Sequence, residues 1–179
     1  CSSDLMKDGI LIQMDRKGKV TLSEHYRNDK PDGVAISYGQ SGDVPLSVIH
    51  YSDGKRNGLF RQYYDNGKIQ EETFYKDNMK HGMSRWNNKA GQRIAEYNYE
   101  NGNFSGIQRT YFENDTLQSE VNYVDNVLSG ESKEFFRNGN LKLSGIYREG
   151  LKDGSWTEFN ELGKVQRVTK YKAGNVLKK

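Results

Sequence analysis

The chain has one cysteine and two prolines in 179 residues. A lone cysteine excludes an internal disulfide and any cysteine-based metal cluster. No run of 18 apolar residues occurs, so nothing reads as a membrane-spanning helix. Hydrophobic residues make up 34%, below the usual share for a globular domain, and a deep aliphatic core is not expected. The formal net charge of +3 is too small and too evenly spread to point to nucleic acid. No Ser/His/Asp arrangement, Walker loop or dinucleotide fingerprint is present. The chain is therefore expected not to be an enzyme, with no catalytic residue, cofactor or metal ligand assigned. What it does have is 12 Tyr and 7 Phe with nearly balanced charge. That is not the composition of a disordered chain. It suits a thin sheet whose buried layer is aromatic.

Internal repetition organises these residues. Gly58, Gly82, Gly106, Gly130 and Gly154 recur every 24 residues, and Gly33 and Gly9 extend the series backward. Tyr75, Tyr99, Tyr123, Tyr147 and Tyr171 keep the same period, preceded by Tyr26 and Tyr51, with a one-residue insertion in the second unit. A third column holds Gly18, Gly42, Gly67, Gly91, Gly139 and Gly163, with Asp115 in that place in the unit starting at Gly106. Three columns in phase define seven units of about 24 residues.

Each unit reads as a β-hairpin. In the third, Leu59–Tyr64 and Ile69–Tyr75 flank Asp65-Asn66-Gly67-Lys68. Asn-Gly between two such runs signals a type I′ turn, and Asn138-Gly139 repeats it. Runs of about six residues fit strands and are too short for helices. A tip at Asn66-Gly67 sets Tyr64 opposite Ile69, Gln62 opposite Glu71 and Gly58 opposite Tyr75. The last pair suggests a tyrosine ring lying over a bare glycine. The same register sets Arg61 opposite Glu72, Arg85 opposite Glu96 and Arg109 opposite Glu120. The expected fold is all-β: an elongated, twisted antiparallel β-meander of about seven tandem hairpins in a single open-ended sheet. About 14 strands at roughly 4.8 Å would span some 65 Å.

Alternation gives two faces. One carries Phe60, Tyr64, Ile69 and Tyr75, then Phe112, Leu117, Val121 and Tyr123, then Phe136, Leu141, Leu143 and Tyr147, then Trp156, Val165 and Tyr171. It is the candidate buried side. The other carries the Arg–Glu pairs with Tyr63, Tyr111, Phe135 and Phe159. Arg61, Tyr63, Arg85, Arg109, Tyr111, Lys133 and Phe135 form the candidate binding face, because basic groups beside aromatic platforms can hold anionic lipid or glycan. The plainer reading is that each Arg is neutralised by the Glu opposite it and the pairs fix register. His25 and His50 each precede a column tyrosine and would lie about 10 Å apart, too far to share a metal. Glu71 and Glu72 point to opposite faces and cannot act as an acid–base pair. Lys170 and Lys172, with Lys178 and Lys179 beyond, suit an edge strand protected from edge-to-edge pairing.

The stretch Asn57-Gly58-Leu59-Phe60-Arg61-Gln62-Tyr63-Tyr64-Asp65-Asn66-Gly67-Lys68 resembles the MORN repeat, closest to the bacterial variant in YwqK-like antitoxin proteins. The resemblance covers residues from about 9 to 174. The first two units depart from it: Gln13 and Met14 replace the aromatic pair, and Gly39-Gln40-Ser41-Gly42 makes a looser turn. The resemblance implies a scaffold or binding module with a protein partner. It also leaves open a cytoplasmic antitoxin-like binder. Cys1, followed by Ser2, Ser3 and Asp4, resembles the lipidated first residue of a mature bacterial lipoprotein, which would act at the membrane instead. Ser2 after the cysteine resembles outer-membrane sorting. The expected layout is a lipid-anchor tether over 1–8, a repeat domain over 9–174 and a basic tail over 175–179. The expected location is the Gram-negative cell envelope, with edge-to-edge self-association possible for an open sheet and no nucleic acid partner.

Overall fold

The computed structural model describes residues 6–39 and 44–178. Cys1, the Gly42 position of the looser turn and Lys179 lie outside the described residues. The chain is all-β, with seventeen strands paired antiparallel in an open sheet and no helix among the described residues. It divides into two compact units, Cys1–Gly91 and Gln92–Lys179.

The first unit holds β1 (Gly9–Met14), β2 (Val20–Arg27), β3 (Lys30–Tyr38), β4 (Pro45–Ser52), β5 (Lys55–Tyr63), β6 (Ile69–Lys76), β7 (Met79–Lys80) and β8 (Gly82–Asn87). The second holds β9 (Arg93–Glu100), β10 (Asn103–Phe104), β11 (Gly106–Tyr111), β12 (Leu117–Val124), β13 (Val127–Phe135), β14 (Leu141–Arg148), β15 (Leu151–Phe159), β16 (Val165–Lys172) and β17 (Asn175–Val176). Within each unit the pairing is a meander between sequence neighbours. The count exceeds 14 because β7, β10 and β17 have only two residues. The first two of these are the leading ends of longer strands, interrupted at His81 and Ser105.

The turns differ from expectation. Asn66 keeps a negative φ, and Gly67 alone is left-handed at φ 78°. The Gly67 N–H donates to the Tyr64 carbonyl at 2.9 Å and the Tyr64 N–H to the Lys68 carbonyl at 2.8 Å. This is a three-residue loop, a type I turn closed by a left-handed glycine, and not the type I′ turn that Asn-Gly suggested. The same bond pattern recurs at Asp15, Phe112, Phe136 and Asn160. Asp115 adopts the glycine's conformation at φ 63°. The two-residue turns with positive φ at both central positions lie at the opposite ends of the strands, at Asn28-Asp29, Asp53-Gly54, Asp77-Asn78, Asn101-Gly102, Asp125-Asn126, Glu149-Gly150 and Ala173-Gly174.

Register follows from those turns. Gly58 faces Tyr75, Arg61 faces Glu72 and Gln62 faces Glu71, as expected. The expected pair of Tyr64 with Ile69 is wrong: Tyr63 faces Ile69, because a bulge leaves Gln70 opposite no residue. The repeat glycine also has another cause than the one inferred. Gly58 has φ 116°, and the atom nearest to a Cβ there would be the Cβ of His50, at 3.1 Å. The glycine sits in a bulge against the preceding strand, while the Tyr75 ring turns edge-on to Phe60 with centroids 5.9 Å apart. Gly58→Ala is expected to cost about 1–2 kcal/mol through the left-handed backbone alone. A lower urea midpoint at unchanged m-value measures it.

The candidate buried face is the more buried one, but its centre is not an aromatic layer. Tyr75 and Trp156 are buried there, together with Ala35, Ala95, Glu71, Thr73, Ser84, Gln108 and Ser132, whereas Val165 is 58% exposed. Small and polar side chains fill the middle of this stripe because a single sheet has no second layer to fill the space above it. The larger rings lean over them half-exposed. Polar groups there must be paired. Thr73 Oγ1 donates to Glu71 Oε1 at 2.7 Å, Lys80 Nζ donates to the same oxygen at 2.8 Å, and Ser84 Oγ bonds Thr73 Oγ1.

Candidate binding faces

Two of the expected Arg–Glu pairs are formed, one within each unit. Arg61 Nε donates to Glu72 Oε2 at 2.8 Å, and Arg109 Nε to Glu120 Oε2 at 2.8 Å. In the first unit Glu72 also faces the exposed Arg85. In the second, Arg109 faces Glu96 as well as Glu120, and Glu120 faces Lys133. Lys133 Nζ instead bonds Glu131 Oε2, two residues along its own strand, at 2.7 Å. That bond raises the lysine pKa and lowers that of the glutamate. Hydrogen bonding to Glu72 likewise raises Arg61.

Tyr63 and Phe135 stand half-buried one step nearer the tips, facing Ile69 and Leu141. Tyr111 is engaged on both sides. Its hydroxyl donates to Glu96 Oε2 at 2.8 Å, and the Arg93 guanidinium lies 3.9 Å from its ring centroid. Burial first, then the bond to Glu96, raises its pKa. The associated stability is complete below the ordinary tyrosine pKa and is lost as pH rises through the raised value. Within each unit the described ion pairs thus match Arg61, Arg109 and Lys133 with carboxylates of that same unit. A double-mutant cycle on Arg61→Ala and Glu72→Ala is expected to give a coupling of about 0.2–1 kcal/mol that shrinks with added salt.

In four repeats the residue preceding the column tyrosine has a role that sequence reading missed. His25 Nδ1–H donates to the Val34 carbonyl at 2.9 Å and His50 Nδ1–H to the Leu59 carbonyl at 2.6 Å. Asn98 and Asn122 do the same to Ile107 and Ser129 at 2.5 and 2.7 Å. These side chains satisfy carbonyls that the glycine bulge frees from the ladder. Among the described residues, no three His, Cys, Asp or Glu side chains group as a metal site.

The tyrosine face carries a second overlooked column, two residues before each repeat glycine: Lys7, Pro31, Arg56, Lys80, Phe104, Leu128 and Lys152. Its four cations lie over aromatic rings. Lys7 is 5.2 Å from the Tyr26 centroid and Arg56 is 5.5 Å from Tyr75. Lys80 is 5.5 Å from Trp86, and Lys152 is 4.1 Å from Trp156 and 5.3 Å from Tyr171. Pro31, Phe104 and Leu128 interrupt the series, Phe104 with an aromatic ring. That ring lies 5.6 Å from Tyr97, 4.9 Å from Tyr99 and 5.5 Å from Tyr123. Beside it opens a shallow cavity of about 350 Å3, lined by Tyr97, Phe104, Gln108, Thr110, Ser119, Val121 and Tyr123. The in-phase lysines and arginines were the signal that could have found this column.

None of the curated proteins matches the chain significantly. The segments 56–77, 104–125 and 128–149 match the MORN repeat variant, and the chain carries MORN repeats of that kind at those three places.

Proposed function

We propose that this chain is a non-enzymatic scaffold whose hairpin repeats bind a protein partner. The observation behind the reading is the MORN repeat variant at three places in an open antiparallel sheet. The two faces of that sheet differ in chemistry. On one, Arg61 and Arg109 are already committed to Glu72 and Glu120. The other presents tyrosines and phenylalanines, residue types enriched at protein interfaces. Crosslinking in intact cells with mass spectrometry tests the reading. One protein should be recovered reproducibly, with crosslinks to lysines of the repeats; recovery of nothing above background would end it. If that protein is a toxin, an antitoxin-like role replaces the general scaffold reading.

Anchoring through Cys1 to an envelope membrane is a separate proposal, since that residue lies outside the described part. Incorporation of radiolabelled palmitate tests it. Its absence would remove the envelope from the reading and leave the scaffold.

A further inference from the structure

The molecule itself shows what its tyrosine face accepts. Lys7, Arg56 and Lys152 each set a cation over a column tyrosine, at 5.2, 5.5 and 5.3 Å. Aromatic faces are electron-rich, and a cation held over them is stabilised. In the repeat at Gly106 the position of that cation is taken by Phe104, and the neighbouring Leu128 supplies none either. Tyr97, Phe104 and Tyr123 instead border the open cavity of about 350 Å3.

The remaining wall is suited to a charged head on an alkyl stem. Val121 offers apolar surface. Thr110 and Ser119 hydroxyls, 2.6 Å apart, offer acceptor oxygens. Glu134 faces Ser119, but its carboxylate is already ion-paired with Lys142 at 3.3 Å. The floor adds little: Gln108 is 3% exposed, and its amide is spent on the Asn98 N–H and carbonyl and the Gly106 carbonyl, at 2.7, 3.0 and 3.2 Å. A neutral sugar would therefore find few directed hydrogen bonds, whereas a cation needs mainly the faces of the rings. We infer that this cavity receives an arginine or lysine side chain carried by the partner protein, in place of the cation that the repeat lacks. The inference rests on the scaffold reading above and specifies the surface and chemistry of contact.

The test uses the full chain, isotopically labelled, titrated with blocked Gly-Arg-Gly, Gly-Lys-Gly and the neutral isostere Gly-citrulline-Gly. Amide shifts at Gln108, Ser119 and Val121 report occupancy. The cationic peptides should shift these amides, with the citrulline peptide about tenfold weaker. Phe104→Lys restores the repeat's own cation, as at Lys80 and Lys152, and should weaken the cationic peptides by about tenfold. Tyr97→Leu should weaken them as well, and gives a second reading if the lysine variant unfolds. Equal binding of citrulline and arginine, no change on Phe104→Lys in a folded protein, or shifts produced only by an oligosaccharide such as maltohexaose would each overturn the inference. A partner crosslinked in cells at sites away from this cavity would overturn it too, while leaving the scaffold reading standing.

Discussion

Trp156→Ala is expected to be the most damaging single truncation in the second unit, at about 3–5 kcal/mol. The side chain is 3% exposed and packs edge-on to Tyr147 and Tyr171, with centroids at 4.9 and 6.4 Å. Its Nε1–H donates to the Ile146 carbonyl at 3.2 Å, and Lys152 lies 4.1 Å over the ring. The ring covers Gly145 so closely that a Cβ added there would stand 2.2 Å from Trp156 Cδ2. This is the aromatic-over-glycine arrangement expected for Gly58 and Tyr75, found instead on neighbouring strands at Gly145 and Trp156. Gly145→Ala should therefore destabilise by about 1–3 kcal/mol through overpacking. It should cost little once Trp156 is already Ala, because the obstructing ring is gone. For a unit of this size each kcal/mol lowers Tm by about 4–8 °C, so thermal unfolding followed by circular dichroism resolves the whole cycle. Additive losses would contradict the contact.

Lys80→Met is expected to cost about 3–5 kcal/mol in the first unit. Its ammonium is 2.8 Å from Glu71 Oε1, and the Glu71 side chain is 7% exposed. Thr73 is the carboxylate's other donor. A carboxylate can only accept, so the single Thr73 proton is committed to Glu71, and Ser84 must donate to Thr73. Removing Lys80 leaves a buried negative charge with one hydroxyl for company. Glu71→Leu combined with Lys80→Met removes both charges and should recover most of the loss. Urea unfolding of the two single variants and the double variant measures this. A double variant as unstable as Lys80→Met alone would show that the lysine acts through packing and not through charge.

The period, the pairing of the strand centres and the opposed charges of Arg61 with Glu72 and Arg109 with Glu120 were legible in the sequence. Each depends on residue types recurring in phase. The turn at Asn66-Gly67 was not, because Asn-Gly satisfies both a two-residue loop and a three-residue loop ending in a left-handed glycine. The choice lies in where the strands resume pairing, and the bulged Gln70 has no side-chain mark of that role. The centre of the stripe escaped for a different reason. Thr73, Ser84 and Gln108 read as surface residues, and only their hydrogen bonds, Thr73 with Glu71 and Ser84, and Gln108 with Asn98 and Gly106, make them an interior. The candidate ladder was legible as residues but not as a balance: Lys133 turns to Glu131 and not to Glu120. The aromatic cavity was hidden because it is created by an exception, Phe104 in a column that is mostly basic.

Two loops of different length alternate along the repeats, and within each unit the described strands pair as a meander, with β6 reaching past β7 to β8 and β9 past β10 to β11. That order has a mechanical consequence. Tension applied along the direction in which strands stack pulls parallel to the inter-strand hydrogen bonds, opening each pair one bond at a time and not by shearing all at once. Each repeat that gives way pays out about 80 Å of chain. Such a unit should lengthen in many small steps at low force and close again in the reverse order, behaving as an extensible spring.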